Sequence, residues 1–422
     1  MRTKIVLASA AFVAFVVACA SSDDAPAASD SPEPASVPDG GAVDGARPDE
    51  AVADVPDARP PACSDAGWCI TELPEQDVIL RDIAVFEETA FAIARVPLEG
   101  VKILEWSKAT NAWKYIDDGS QNTAPIGTYA GRIYAPSVDE VYFTVGPSHV
   151  FHGRRAGASW TWTNQALPET AGGTWTEGEL TTFGVWGTSA SNVYAYFGNT
   201  IFRRDPSTGV FGAIHVADDF DDPSERIVFT AAQGTGESDL FFVGARVRGF
   251  QSCPLAIRKT ASGWERVADG VATTSFFSPC VPREGSLFIS GTDRGGWFSD
   301  VVRVNATEYA ALYNRLNWGV VEGSFVVTMR TTSEGASFAE TPIPVSTAGG
   351  DKSLTSLWRT DEAMWFTGWG LVLRGTLDGE VAVSTLARSG APLTMPLHKI
   401  RGTSNQNLWA IGGGHAYHTT TP

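Results

Sequence analysis

The sequence predicts an all-β fold, a β-propeller of eight blades with seven as the alternative count, and three observations carry that expectation. One phrase keeps returning: an apolar stretch, a small polar turn such as Gly-Thr, one Asn, Asp or Glu, then an aromatic-rich strand. Its clearest copy is Gly184-Val-Trp-Gly-Thr-Ser-Ala-Ser-Asn-Val-Tyr-Ala195, and related copies stand at Ala135–Phe143, Gln233–Phe242 and Arg401–Ala410. A unit recurring every ~40–50 residues marks a propeller or another repeat array. Composition agrees, because 43 Gly and 14 Trp with abundant Phe, Val and Thr favour short strands joined by tight turns. No long amphipathic helix is visible beyond the first twenty residues.

The chain opens on a basic Met1-Arg-Thr-Lys4 and then an uncharged apolar run, Ile5 to Val17. That run is too short to span a bilayer comfortably and has the form of a secretory signal, residues 1–18. Its end, Val16-Val-Ala-Cys19, resembles the lipobox of bacterial lipoproteins. The resemblance implies a mature chain starting at a lipid-bearing Cys19 and, because Ala20 follows, an outer-membrane destination. Residues 19–62 hold ten acidic residues against Arg47 and Arg59 and almost no large apolar side chain. Such a segment cannot bury enough surface to offset its ordering entropy, so it reads as a disordered tether.

The folded part is expected over residues 63–422. With Cys19 assigned to lipid, four of the five cysteines remain, and an oxidising compartment favours pairing Cys63 with Cys69 and Cys253 with Cys280. Neither spacing follows a zinc pattern. Eight units then follow. The first begins near Ile79, the second spans Tyr129 to Pro168, the third Thr181 to Val216 and the fourth Ile227 to Asp269. The fifth and sixth are degenerate, with Ser286–Ser290 and Ser324–Met329 as their second strands; the seventh starts at Leu354 and the last at His398. The last unit lacks an outer strand, and Ile70–Leu73 is a spare extended segment that would close the ring and cover an exposed edge.

Within each unit the residues have structural duties. Gly187, Gly234 and Gly402 permit close backbone approach. Asn192, Asp239 and Asn407 are placed to cap turn amides. Tyr194, Phe241, Trp365 and Trp409 share one repeat position and should fill the space between sheets.

The phrase from Trp186 to Ala195 and its copies resemble the blade repeats of secreted bacterial β-propeller lipoproteins of the myxobacterial type, a likeness that runs over about residues 78–420. Gly157-Ala-Ser-Trp160 and Ser262-Gly-Trp264 resemble the turns of sialidase-type propellers, but both lack the Asp of that motif.

Chemistry is sparsely signalled. His149/His152 and His415/His418 each lie three apart on expected strands, so period-two alternation sends the members of a pair to opposite faces and argues against a shared metal. The run Asp218–Asp222 carries hard oxygens but lacks the Gly and spacing of a calcium loop. No Gly-x-Ser-x-Gly, His-Glu-x-x-His or phosphate-binding glycine loop occurs in a fitting context. No cofactor and no metal is expected. The net charge of −17 opposes nucleic acid and anionic lipid headgroups, leaving the N-terminal lipid as the link to the membrane. The expectation is a monomeric, lipid-anchored module of the cell envelope that binds or scaffolds a protein or glycan on the loop-bearing face around a central channel. The rival is a glycosidase or lyase acting on carbohydrate or envelope polymer at the channel mouth. A pocket gathering two carboxylates with Arg or His would favour that rival; a channel of Gly, Thr and apolar groups would favour binding.

Overall fold

A computed structural model describes residues 63–419, apart from 124–128, 147, 169–182, 274–279, 287–294, 318–319, 333–334, 345–352, 377–379, 385 and 387–392. Cys19 and residues 1–62, where the signal and the tether are expected, lie outside the described residues. Among these residues are seven antiparallel four-stranded sheets, six of them simple meanders. Their innermost strands are labelled here β1 (Ile79–Val85), β2 (Tyr129–Ser137), β3 (Phe183–Ser189), β4 (Glu225–Gly236), β5 (Gly296–Arg303), β6 (Leu354–Arg359) and β7 (Leu397–Ser404). Each innermost strand touches the next and β7 touches β1, so the sheets close into a ring.

The count is therefore seven, a correction to the eight expected. Burial gives the same number independently, since the large apolar side chains fall into seven clusters and each cluster joins two neighbouring blades. The extra unit arose from the fifth blade, Gly296–Arg303, Glu308–Asn317, Val320–Thr332 and Gly335–Ile343, whose second and third strands are unusually long. Ser324–Met329 belongs to its third strand, and of the other proposed segment, residues 287–290 lie outside the described residues.

The seventh blade supplies only three strands from the C-terminal end, Leu397–Ser404, Asn407–Gly412 and His415–Thr419. Trp68–Ile70 adds the fourth, pairing Trp68 with Thr419 and Ile70 with Tyr417. The strand thus lies two residues earlier than the Ile70–Leu73 segment that the pattern suggested. Three interactions hold it. The Trp68 side chain is fully buried, sits edge-on to Trp365 at 5.8 Å, and donates its indole N–H to Ser384 Oγ at 2.8 Å. Thr71 donates its backbone N–H to Ala416 O at 2.9 Å and accepts the Trp113 indole N–H at 2.9 Å. The disulfide Cys63–Cys69 closes the loop before it, while Cys253–Cys280 ties the third strand of blade four to the connection leading to blade five.

The repeated phrase is a bulged hairpin. Register slips between Gly187 and Ser189, between Gly234 and Gly236 and between Gly402 and Ser404, and a Cβ at Gly234 or Gly402 would stand 2.2 or 2.3 Å from the carbonyl oxygen of Asp239 or Asn407. The crowding that demands glycine thus lies at the hairpin tip, not at the axis. The polar residue opening the second strand does not cap turn amides as expected. It meets a basic side chain of the third strand instead: Asn192 with Arg203 at 3.4 Å, Asp239 with Arg258 at 3.1 Å and Asn407 with His418 at 2.9 Å. The aromatic position does fill the gap between blades. Phe241 lies 4.4 Å from Tyr309 of the next blade, and Trp409 lies 4.9 and 5.2 Å from Trp106 and Trp113.

A buried Trp that anchors the closing strand should matter out of proportion to the strand's three residues. Trp68→Ala should cost about 3–5 kcal/mol, the usual range for a core Trp, and deletion of residues 63–76 should lower the unfolding temperature further. Equilibrium urea denaturation with an unchanged midpoint would show that the ring does not rely on this closure.

Candidate functional site

The meander sorts loops onto two faces. Turns between second and third strands, and the connections from one blade to the next, emerge on one face; turns between first and second strands, and between third and fourth, emerge on the other. Each innermost strand starts from the first of these faces. Six of the seven are interrupted early, between Leu80 and Asp82, Ala130 and Ile133, Phe229 and Ala231, Phe298 and Asp300, Leu354 and Ser356, and Leu397 and Lys399. A bulge re-aims the side chains at its kink. Here the kinks bring charged residues of different strands to one level of the channel.

That level encloses a cavity of about 80 Å³ lined by Asp82, Arg132, Trp186, Tyr196, Thr230, Asp300, Lys399 and Arg401, among others. Asp300 is completely buried and fully engaged. Arg401 grips it with Nη2 to Oδ1 at 3.0 Å and Nη1 to Oδ2 at 3.1 Å, and Lys399 Nζ, Ser356 Oγ and Leu357 N donate to Oδ2 at 3.1, 2.7 and 3.1 Å. Burial alone would raise the Asp300 carboxyl, but Arg401 and Lys399 overcome it and hold the group ionised, well below the usual carboxylate range. Asp82 is also buried, and its Oδ2 accepts Ile133 N–H at 3.1 Å, but its Oδ1 has no hydrogen-bond partner.

The cations outnumber these acids. Arg132 donates to Thr230 O at 3.3 Å; burial opposes its charge, and Asp82, Tyr196 and Asp300 more than restore it. Lys399 is only 2 % exposed, and burial, followed by the charges of Arg132 and Arg401, brings its ammonium down to about 7 against the pull of Asp300 and Asp82. Just above, Arg81 contacts His398 Nε2 at 3.2 Å. Burial and then Arg81 and Arg132 push His398 down to about 4, so it stays neutral at neutral pH. Burial, Arg95 and Arg132 likewise lower Arg81. The throat of an acidic protein is therefore cationic.

None of these residues was singled out in the sequence, and the histidines that were serve packing. His152 contacts Glu140 Oε1 at 2.8 Å and stacks on Tyr142 at 4.2 Å; His418 stacks on Trp409 at 4.1 Å. No group of three or more potential metal-ligating side chains occurs among the described residues. The acidic run at 218–222 is occupied by arginines. Arg266 and Arg283 pair with Asp219, Arg283 with Asp221, and Arg248 with Asp222. Beside them Arg246, wholly buried, forks onto Asp269 at 2.9 and 2.7 Å and reaches Glu225 at 3.2 Å. The Cys253–Cys280 bridge pins this network, since Cys253 pairs across the strand with Arg246.

The loop-bearing face carries exposed apolar side chains. Leu98, Phe250, Val320 and Trp369 sit at or beside the turns between second and third strands, and Met395 lies against the last of these turns through its carbonyl, which accepts Gly370 N–H at 3.0 Å. On the opposite face the large exposed apolar residues among those described are Val138 and Val210.

A buried lysine with a lowered pKa leaves a signature in stability. Between pH 7 and the ordinary lysine range the unfolded chain binds a proton that the folded chain lacks, so stability rises with pH there and is lost as pH falls through about 7. Urea titrations from pH 6.5 to 10 should show this rise in the native chain and not in Lys399→Met. Parallel profiles for the two would mean that Lys399 titrates normally.

No protein-family model matches the chain, and no curated protein does. Among solved structures, YCF48 from Cyanidioschyzon merolae matches with a TM-score of 0.55 and 13 % identity over 84 % of this chain and 98 % of that one. A structure of YCF48 bound to D1 peptide matches with a TM-score of 0.52 and 12 % identity, over 84 % of this chain and 97 % of the other. At such identities the likeness shows the fold, a β-propeller.

Proposed function

We propose that this chain is a lipid-anchored module of the cell envelope, held in the outer membrane through Cys19, which binds a segment of another protein on its loop-bearing face. The observation that carries the binding is the distribution of exposed apolar residues. Leu98, Phe250, Val320, Trp369 and Met395 all belong to that face, contributed by blades one, four, five and six and the connection that follows. Exposed apolar side chains gathered on one face mark interaction sites more often than the same residues scattered singly. The partner must therefore offer apolar side chains, and an acidic group on it would find a complementary charge at the axis. The solved YCF48 structure with a D1 peptide supports the reading by showing that a protein of this architecture holds a peptide.

The enzymatic alternative has one observation in its favour, the meeting of Asp82 and Asp300 with Arg132 and Arg401 in one cavity. Two features weigh against it. Glycoside hydrolysis needs its ionised carboxyl free to meet the sugar or a water, whereas the oxygens of Asp300 are taken up by donors from Val301, Ser356, Leu357, Lys399 and Arg401. A space of about 80 Å³ is also well short of the pockets that seat a substrate of sugar size.

Two measurements test the proposal. A photo-crosslinking residue at Phe250 or Trp369, in intact cells, should give a discrete protein adduct that one at Val210 does not. The adduct should fall at least about tenfold when the other rim residues are changed to Ser, as expected for losing central apolar anchors. Equal adducts from both faces would end the assignment of this face. Separately, the native chain should enter the detergent phase on phase partitioning and Cys19→Ala should stay in the aqueous phase; identical partitioning would remove the lipid anchor.

A further inference from the structure

The axial cavity has features that the docking face does not require. Its lining holds three cationic side chains, Arg132, Lys399 and Arg401, against two carboxylates, Asp82 and Asp300. Asp300 is saturated by Arg401, Lys399, Ser356 and the Leu357 amide. With Lys399 largely neutral above pH 7, what remains open is the positive charge of Arg132, Arg401 and the neighbouring Arg81 against the two carboxylates, and one bare acceptor, Asp82 Oδ1, on a side chain only 6 % exposed. A buried carboxylate oxygen without a donor is costly, commonly about 1–3 kcal/mol or more for a charged group. Water can serve it, but water does not answer the surplus positive charge.

A fully deprotonated anion would answer the charge and be repelled by Asp82. A cation would satisfy Asp82 and be repelled by Arg132, Arg401 and Arg81. The group that meets both demands is an oxyanion that still carries a proton, accepting from the cations and donating its O–H to Asp82 Oδ1. We propose that the channel of this propeller is a binding site for a monoprotonated tetrahedral oxyanion of the phosphate class, with Asp82 as the acceptor that requires the O–H and Arg132 as the principal new donor. The volume of about 80 Å³ admits inorganic phosphate or the end of a phosphomonoester. Sulfate has the same shape and no proton to give at neutral pH, so Asp82 discriminates against it. The site stands independently of the protein-binding reading, since none of the exposed rim residues lines the cavity.

The surroundings supply a second signature. Phosphate would join Asp82 and Asp300 in favouring the protonated form of Lys399, opposing Arg132 and Arg401, while His398 and Tyr196 stay neutral. Binding at about pH 8, where free phosphate is already mostly in its monoprotonated form and Lys399 mostly neutral, should therefore be accompanied by net proton uptake.

The experiment is isothermal titration of the full chain in detergent micelles with inorganic phosphate and, separately, sulfate, at low chloride in two buffers of different ionisation enthalpy. The expected result is one phosphate per chain, sulfate weaker by about tenfold or more, the scale of one charge-assisted hydrogen bond, and proton uptake that disappears in Lys399→Met. Asp82→Asn should bring sulfate level with phosphate, because the amide can donate where the carboxylate repelled. Trp369→Ser should leave phosphate binding unchanged. If Asp82→Asn does not fold, as a melt would reveal, the phosphate-over-sulfate ratio of the native chain still decides. Absence of phosphate binding at millimolar concentration, or sulfate binding as tightly as phosphate to the native chain, overturns the proposal.

Discussion

Every innermost strand of a propeller has one edge paired within its own blade and another facing the axis, where no strand is available. Backbone groups on that free edge must find partners or pay for desolvation, and how this chain meets that requirement organises the rest of the molecule. At least one hydrogen bond bridges each of the seven interfaces. Ile133 N donates to Asp82 Oδ2 (3.1 Å), Thr144 Oγ1 to Phe183 O (3.3 Å), Tyr196 OH to Thr230 O (3.0 Å), Thr230 Oγ1 to Phe298 O (2.7 Å), Ser299 Oγ to Leu354 O (3.2 Å) and Thr355 Oγ1 to Leu397 O (2.7 Å). The seventh joins the last blade to the first, where Gly414 N donates to Val78 O at 2.8 Å. Short hydroxyl side chains suit this task because they reach across a narrow gap and lose little rotamer freedom.

The same kinks explain the charge at the axis. Once a bulge turns a side chain toward the channel, it must be polar or lie in a dry void, and three of the seven strands use Arg or Lys at or beside that point: Arg132, Lys399 and Arg401, the last two on β7 with Arg81 nearby on β1. Asp300 is the counterweight that lets β7 carry two cations, and it also receives the Leu357 amide of β6. One carboxylate thus ties β5, β6 and β7 together. Replacing it alone would leave Lys399 and Arg401 buried without their counter-ion, the costly way to break a buried pair.

How much of this the sequence disclosed depends on where a constraint falls within the repeat. The hairpin between first and second strands was legible because its glycines answer a backbone clash at a fixed offset, with Gly234 and Gly402 each facing a carbonyl five residues on. The interblade aromatics were legible for the same reason of fixed spacing. The blade count was not, because the fifth blade lacks the phrase and has a third strand of 13 residues, long enough to be parsed as part of two units. The channel residues were invisible for a different reason. The residue at which pairing resumes after the kink is Asp82, Ile133, Ala231, Asp300, Ser356 and Lys399 in turn, with Arg132 inside the slip of β2, so no periodic residue type marks it, and only the closed ring brings the charged ones to one level.

This separation of duties has a consequence for function. The apolar rim belongs to turns, which can change without disturbing the sheets, whereas the throat residues are inseparable from the bonds that close the ring. Asp82 illustrates the difference: it lines the cavity, and one of its oxygens holds β2 through Ile133 N while the other is buried and unpaired. A ligand at the throat therefore acts on the same carboxylate that joins blades one and two, and must stiffen that interface when it binds. A partner on the rim touches hairpin tips and need not alter the ring at all. The two kinds of binding are distinguishable by their effect on stability, because only the first is linked to a contact on which folding depends.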